Sequence, residues 1–243
     1  PVYRLLGGKL RDSVPCYANG WFVGAKTPDQ FADKARQAIA DGFRAIKWDP
    51  FGAAYRSLEA SQFREAMECV EKVREATRGR GDVIIEGHGR FDLPTALRIA
   101  HALEDLDILW LEEPIMPDTM EALAELKRRT KVPLSFGERL YTRWQFRTLL
   151  ESRAADYIQP DVSHAGGITE LKKIAALAET HYIPICPHNP SGPVANAATL
   201  QLAACLPSFY LLETMASDVP WRRDVCVEDV KLIDGLMSIP TGP

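Results

Sequence analysis

Three glutamates recur at a constant interval in the middle of the sequence. Glu86, Glu112 and Glu138 are spaced 26 residues apart, and each lies at or just after the end of a short apolar run. If these runs are neighbouring strands about 4.8 Å apart, the residues at their ends can converge on one point. Three carboxylates that close repel each other unless a cation lies between them. Because oxygen ligands suit a hard ion, the spacing predicts a Mg²⁺ site.

The middle glutamate has a second glutamate beside it, in the stretch LWLEEPI at 109–115. An unpaired charge is costly to bury, and successive residues of a strand face opposite sides of a sheet. We therefore expect Glu112 to face the site and Glu113 to turn toward the following loop or the helix layer.

Short apolar runs alternate with longer amphipathic ones along the whole chain. Strands are predicted at 14–19, 43–48, 82–86, 108–112, 133–136, 156–159, 183–186 and 209–213. Helices are predicted at 27–42, 57–79, 93–105, 118–130, 142–152, 168–181 and 193–205. This alternation indicates parallel β/α units. Eight regularly spaced strands, with no GxGxxG after the first, favour a closed barrel over an open sheet, and active sites of such barrels lie at the carboxyl ends of the strands.

Other polar residues follow the remaining predicted strands. Asp161 follows the sixth strand, His188 the seventh and Glu213 ends the eighth. An aspartate beside a histidine fixes the tautomer of the imidazole and raises its basicity, so Asp161 and His188 are candidates for an orienting residue and a general base. His88 follows Glu86 by two residues and lies on the same side if the backbone stays extended.

Substrate contacts are harder to assign because a polar loop residue can equally form an ion pair within the protein. The candidates near the same rim are Asn19, Lys47, Asp49, Arg90 and Arg139, with Tyr17, Trp21 and Asn189 as further possibilities. Of the remaining histidines, His101 and His181 lie in predicted helices and are expected to be structural, and His164 lies in a loop with no partner that the sequence identifies.

Composition limits the classes of protein to be considered. The chain has 243 residues, 46% of them hydrophobic, which fits one α/β domain over residues 1–243. A net charge of −4 gives no reason to expect nucleic acid or an anionic membrane as a partner. Five scattered cysteines without metal-ligand spacing predict reduced thiols and a cytoplasmic protein.

Five motifs in order resemble those of a known family. The segments IIEGHGRFD, LWLEEPI, SFGERL, IQPDVSHAGGITE and CPHNPSGPVANAA resemble the mandelate racemase/muconate lactonizing enzyme branch of the enolase superfamily, and within it the galactonate and gluconate type of acid-sugar dehydratase. The resemblance implies a (β/α)7β barrel, the C-terminal barrel domain of such enzymes. It also implies Mg²⁺ on Glu86, Glu112 and Glu138, a base at His188 paired with Asp161, an acid at His88, and Glu213 hydrogen-bonded to the intermediate.

The sequence departs from that family in three respects. Glu86 stands where many relatives have Asp. Racemase-type relatives carry Lys-x-Lys after the second strand, whereas here the second lysine is replaced by Asp49 in KWD, which argues against two-base racemisation and leaves His188 as the one apparent base. The family's N-terminal capping domain, which closes over the barrel, is not recognisable in the 243 residues, so we expect the chain to be part of a longer enzyme that forms a homo-oligomer.

The expected reaction removes the proton α to the carboxylate of a sugar acid, with Mg²⁺ stabilising the enediolate, and then expels the 3-hydroxyl as water to give a 2-keto-3-deoxy acid. Enolase-superfamily sites in general combine a lysine or histidine base with Mg²⁺ for this purpose. Epimerisation or cycloisomerisation within the superfamily, a Schiff-base aldolase using Lys47, and a non-catalytic barrel remain alternatives. An amidohydrolase-type metal barrel is disfavoured because no His-x-His follows the first strand.

Overall fold

The parallel strands form one sheet that curls until its two ends meet. The computed structural model describes residues 1–217, 219–227 and 230–242. The parallel strands are β1 (Ser13–Asn19), β2 (Ala45–Trp48), β3 (Asp82–Glu86), β4 (Trp110–Glu112), β5 (Leu134–Phe136), β6 (Tyr157–Ile158) and β7 (Leu212–Met215). Each of β1 to β5 pairs in parallel with the next strand, and β7 pairs in parallel with β1.

A single residue completes the circle between β6 and β7. Ile185 forms parallel bridges to Ile158 on one side and to Phe209 on the other. The predicted closed α/β barrel is therefore confirmed, with its strands in sequence order around the axis.

The strand predicted at 183–186 was wrong in extent, since only Ile185 makes a bridge. Pro184 and Pro187 flank this segment, and a proline has no N–H to donate to a ladder. The segment still uses its remaining groups, because Ile158 donates its N–H to the Pro184 carbonyl at 3.2 Å. The last predicted strand, at 209–213, is displaced toward the C-terminus, starting as a strand only at Leu212.

All seven predicted helices are present, with ends within three residues of the predicted ones. They are α1 (Pro28–Ala40), α2 (Ala60–Thr77), α3 (Leu93–Leu103), α4 (Met120–Arg129), α5 (Thr142–Ser152), α6 (Ile168–Thr180) and α7 (Pro193–Ala203). The start of α1 shows why the sequence signal was strong. The Thr27 side chain accepts the N–H of Gln30, whose own side chain accepts the Thr27 N–H, so two otherwise unpaired donors are satisfied.

A C-terminal β-hairpin was not predicted. Strands β8 (Leu232–Ile233) and β9 (Leu236–Ser238) are antiparallel, and β9 pairs with the start of β1. The turn between them is Asp234-Gly235, both residues having positive φ, which is the sequence preferred in tight hairpin turns. The hairpin lies at the amino end of the barrel, away from the carboxyl rim.

The barrel separates an apolar outer layer from a more polar interior. Large side chains such as Ile46, Ile85 and Phe136 are fully buried in the core between the sheet and the helices. Tyr17 and Trp110 belong to a smaller inner cluster, and their rings meet edge to face at 5.7 Å. None of the helices that the structure describes is both long and apolar enough to cross a membrane.

Candidate active site at the carboxyl rim

The three regularly spaced glutamates come together at the carboxyl end of the barrel. Glu86 and Glu112 are register partners at the ends of β3 and β4, and Glu138 follows two residues after β5. One carboxylate oxygen from each lies within 4.8 Å of the others. Glu86 and Glu112 are almost completely buried. The convergence predicted from the spacing is therefore present in the structure.

Lys47 supplies the positive charge at the base of this cluster. It projects from β2, is 3% exposed, and its Nζ lies 3.2 Å from Glu86, 3.0 Å from Glu213 and in hydrogen-bond contact with Glu112. Burial lowers the pKa of Lys47, but the Glu112 and Glu213 carboxylates outweigh this effect and raise the pKa well above its ordinary value. Lys47 is therefore a permanent cation.

Glu112 has two further partners that we did not predict from the sequence. Trp110 donates its Nε1–H to Glu112 Oε2 at 3.0 Å, and Gln159 Nε2 donates to the same oxygen at 2.7 Å. Burial raises the pKa of Glu112, but Lys47 and these hydrogen bonds lower it overall, so the group is ionised. A sequence signal existed, because Gln159 precedes Asp161 by two residues and therefore lies on the same face of its extended segment.

Glu113 turns away from the cluster, as expected. Its backbone has a φ of +37°, and its buried carboxylate accepts the Gly137 N–H at 3.1 Å and an Arg139 N–H at 2.6 Å. Burial and the neighbouring Glu138 carboxylate raise the pKa of Glu113 to about 7, against the opposing effect of Arg139. The two adjacent glutamates therefore pair with different cations: Glu112 pairs with Lys47, and Glu113 pairs with Arg139.

Gly137 allows the chain to pass from β5 to Glu138. Its φ is +149°, and a Cβ atom there would lie 2.7 Å from the backbone nitrogen of Gln159. We expect Gly137→Ala to lower the free energy of unfolding by about 1–3 kcal/mol, because neither the conformation nor the contact can relax without moving a strand. Chemical denaturation would measure the change. Gly192→Ala is the control, since Gly192 has a φ of −71° and open space at its Cβ position, and an equal loss there would contradict the argument.

The predicted Asp–His pair is formed. His188 Nδ1 lies 2.8 Å from Asp161 Oδ2, and the other ring nitrogen, Nε2, lies 3.4 Å from Glu138 Oε2. Burial lowers the pKa of His188, but the hydrogen bond to Asp161 and the nearby Glu213 and Glu138 carboxylates raise it overall. The pKa of Asp161 is lowered, because its hydrogen bonds to His188 and to the Ser163 N–H outweigh burial. The Nε2 of a basic imidazole is therefore directed toward the glutamate cluster.

Glu213 is held on three sides. Lys47 contacts it from below, Asn19 Nδ2 donates to Oε1 at 2.9 Å, and the Asn189 N–H donates to Oε2 at 3.0 Å. Asn189 in turn is braced by hydrogen bonds with Asn196 and Thr199. Asn19, predicted as a substrate contact, is thus placed against Glu213.

The backbone around His88 does not stay extended, contrary to the condition attached to our prediction. His88 has a φ of +51°, and the next residue, Gly89, also has a positive φ, so the chain turns immediately after β3. The His88 N–H still donates to Glu86 Oε1 at 2.7 Å, and the ring Nδ1 lies 2.6 Å from Asp49 Oδ2. His88 is therefore near the cluster through its backbone, while its ring is directed by Asp49.

The two arginines predicted as substrate contacts already have carboxylate partners in the structure. Arg139 pairs with Glu113 and Glu138, and Arg90 pairs with Asp49. His164, for which the sequence identified no partner, lies near the site: its ring centre is 6.2 Å from that of His188, and its Nδ1 is 3.2 Å from the Glu138 carbonyl oxygen. The thiols are free at all five cysteines, as predicted.

The residues present fit a divalent metal ion. The donor set is three carboxylates, the ligand type that Mg²⁺ prefers. Among the described residues, two permanent cations, Lys47 and Arg139, touch this cluster, and Arg139 also neutralises Glu113. Burial and the Glu112 charge raise the pKa of Glu86 well above its ordinary value, against the opposing effect of Lys47. Lys47 and Arg139 are shared among five carboxylates, those of Glu86, Glu112, Glu113, Glu138 and Glu213, so acidic groups outnumber these cations. A Mg²⁺ ion held by Glu86, Glu112 and Glu138 would balance the remainder.

Comparison with known proteins is consistent with this geometry. Residues 30–243 match the family model described as enolase C-terminal domain-like. The chain is 38% identical to the D-gluconate dehydratase of Thermoproteus tenax and 36% identical to the D-xylonate dehydratase of Haloferax volcanii, with 100% of this chain covered in both cases. It spans 49% of the length of the first protein and 61% of the second.

A solved structure gives the same result for the fold. The crystal structure of mandelate racemase/muconate lactonizing enzyme from Sulfitobacter sp. superposes with a TM-score of 0.92 at 32% identity, covering 99% of this chain and 63% of that one. The barrel and its arrangement of strands are therefore shared over nearly the whole chain.

Proposed function

Because the chain belongs to the enolase C-terminal domain-like family of the enolase superfamily, we propose that it is the catalytic barrel of a Mg²⁺-dependent sugar-acid dehydratase. The substrate would be an aldonate or aldarate, and the product a 2-keto-3-deoxy acid. Relatives named as gluconate, xylonate and galactonate dehydratases support the reaction class.

One observation supports this proposal more than any other. A cluster of three carboxylates suited to Mg²⁺ lies directly beside a histidine whose Nδ1 is tied to an aspartate, with 3.4 Å between His188 Nε2 and Glu138 Oε2. A metal site and a general base at that distance can act on the same small molecule, which is the arrangement needed to remove a proton α to a carboxylate.

The first half of the reaction falls to His188. Bound by Glu86, Glu112 and Glu138, Mg²⁺ would supply the positive charge that makes the α-proton acidic. His188 Nε2 takes that proton from C2, while Asp161 holds Nδ1 and stabilises the imidazolium that results. Lys47 and Glu213 lie beneath this point and form an ion pair at 3.0 Å. This pair fixes the charge and the hydrogen bonds at the base of the site.

The second half falls to His88. The bond between C3 and its hydroxyl oxygen breaks, the oxygen takes a proton from His88 Nε2 and leaves as water, and the electron pair left by the C2 proton forms the C2–C3 double bond. The enol then loses its hydroxyl proton and gains a proton at C3, which gives the 2-keto-3-deoxy acid. The only net products are this acid and water.

Two alternatives differ in what they require of these residues. Epimerisation or cycloisomerisation would use the metal site and His188 but not an acid at His88. A Schiff-base aldolase needs a lysine with a lowered pKa, whereas the pKa of Lys47 is raised by three carboxylates, so the structure disfavours that alternative.

The proposal is tested by incubating the whole protein and Mg²⁺ with a panel of C5 and C6 aldonic and aldaric acids. We expect one or two acids to yield a 2-keto acid, and EDTA to abolish its formation because no Mg²⁺ is then available to make the α-proton acidic. Keto acid formation is measured before EDTA, after EDTA and after Mg²⁺ is restored. Exchange of the α-proton with D₂O without any keto acid would instead assign an epimerase or cycloisomerase.

We further propose that the protein acts in the cytoplasm as a homo-oligomer and that a capping domain contributes to substrate recognition. The resemblance to acid-sugar dehydratases supports these points. They concern the whole protein, because this chain spans only 49% and 61% of the length of the two dehydratases that it resembles.

A further inference from the structure

The structure holds a second aspartate–histidine pair at the rim, on other strands than the first. His88 Nδ1 lies 2.6 Å from Asp49 Oδ2, compared with 2.8 Å between His188 Nδ1 and Asp161 Oδ2. Asp49 follows β2 and His88 follows β3, so two neighbouring strands supply the pair. It occupies the position where the sequence replaces the second lysine of Lys-x-Lys with an aspartate.

We propose that Asp49 is a positioning residue for His88, which it holds by Nδ1 so that Nε2 is the nitrogen that delivers the proton to the leaving hydroxyl. This inference rests on the proposed dehydration, and it replaces our sequence-based assignment of Asp49 as a substrate contact. An ionised carboxylate can only accept a hydrogen bond, so it holds the Nδ1–H of the imidazolium, whose second proton, on Nε2, is the one delivered to the leaving hydroxyl.

Asp49 is itself held firmly, as a positioning residue must be. Its Oδ1 accepts the Phe51 N–H at 2.9 Å, and its Oδ2 is shared by His88 and the Arg90 guanidinium. Arg90 is anchored in turn to the carbonyl oxygens of Gly52 at 2.8 Å and Ala54 at 2.9 Å. The carboxylate therefore has one orientation, which is set by the loop after β2.

His88 is constrained from two directions at once. Its backbone adopts a left-handed conformation, with a φ of +51°, which costs a residue other than glycine about 1–3 kcal/mol and is found mainly where the surroundings enforce it. The backbone N–H is held by Glu86 and the ring by Asp49. The side chain is nevertheless 50% exposed, so the remaining ring nitrogen is accessible from the mouth of the barrel.

An alternative role for Asp49 is simply to brace the loop through Arg90. The two roles predict different kinetics. A bracing residue affects proton abstraction and elimination together, because both depend on the same rim. A residue that acts through His88 affects elimination alone, and its loss adds nothing once His88 is absent.

The test uses the whole protein with Mg²⁺ and the sugar acid found by the panel, and measures α-proton exchange in D₂O and keto acid formation side by side. We expect Asp49→Ala to lower keto acid formation about 10–100-fold, by analogy with the range seen when the carboxylate partner of a metal-binding histidine is removed, with exchange almost unchanged. Asp49→Asn should lose less, since its amide oxygen can still accept the Nδ1–H. The double variant Asp49→Ala/His88→Asn should be no slower than His88→Asn.

Two kinetic outcomes would overturn the inference: an equal loss of exchange and elimination in Asp49→Ala, or losses that multiply in the double variant. A spectroscopic measurement separates this from failure of the proposed function. In long-range ¹H–¹⁵N spectra of the histidine rings, the signal removed by His88→Asn should show a protonated Nδ1 in the wild type and a changed pattern in Asp49→Ala. An unchanged pattern would reject the positioning role even if the protein were not a dehydratase.

Discussion

Replacing His188 with alanine should abolish exchange of the substrate α-proton with solvent deuterium while Mg²⁺ still binds. His188 presents Nε2 to the glutamate cluster and is held by Asp161 at 2.8 Å. A positioned acid–base group contributes on the order of 10²–10⁴ in rate. Exchange would be followed by NMR in D₂O and Mg²⁺ binding by titration calorimetry.

The matched control for this variant is His164→Asn. His164 is a second imidazole on the same side of the rim, 6.2 Å from His188 between ring centres, but it is exposed, and its Nδ1 lies 3.2 Å from the Glu138 carbonyl oxygen. We expect it to retain exchange, so a loss specific to His188 cannot arise from removing any histidine there. Exchange that persists in His188→Ala would refute the assignment of the base, and loss of Mg²⁺ binding would show that the variant disturbs Glu138 instead.

Replacing His88 with asparagine should separate the two halves of the reaction. The variant keeps a backbone N–H for Glu86 Oε1, and asparagine tolerates the left-handed conformation better than most residues. We therefore expect α-proton exchange to continue while keto acid formation falls by about 10²–10⁴, since the leaving hydroxyl no longer receives a proton. Both quantities would be measured on the same sample by NMR.

His88→Ala provides the comparison that isolates the side chain from the backbone. Alanine removes the imidazole as asparagine does but adopts a positive φ less readily, so it should lose elimination to the same degree and unfold more easily. Survival of both exchange and elimination in His88→Asn would show that the acid is another group. Loss of both would show that His88 supports the metal site through Glu86 rather than acting on the substrate.

Much of the fold could be predicted because its signals are local. The Thr27 cap, the proline at the start of α1 and the period of apolar residues are properties of a few consecutive residues, and seven helices followed from them. The strand that was predicted too long and the hairpin that was not predicted also have local causes. Pro184 and Pro187 limit one strand to a single bridge at Ile185, and the strands on either side of the Asp234-Gly235 turn are too short to produce a clear alternating pattern.

Part of the candidate site could also be predicted from local signals in the sequence, and part could not. The sequence by itself determined the barrel and the convergence of Glu86, Glu112 and Glu138, because parallel strands of equal spacing bring their carboxyl ends to one rim. It also indicated the pair formed by His188 and Asp161.

Only the tertiary structure decided how the charges at that rim are paired. Lys47 could have been free, but it lies among the carboxylates of Glu86, Glu112 and Glu213. The His88 ring contacts Asp49, which is 39 residues away in the chain. The physical reason is that a hydrophobic pattern is read from neighbouring residues, whereas the partner of a buried charge is chosen by distances of a few ångströms between side chains from different strands.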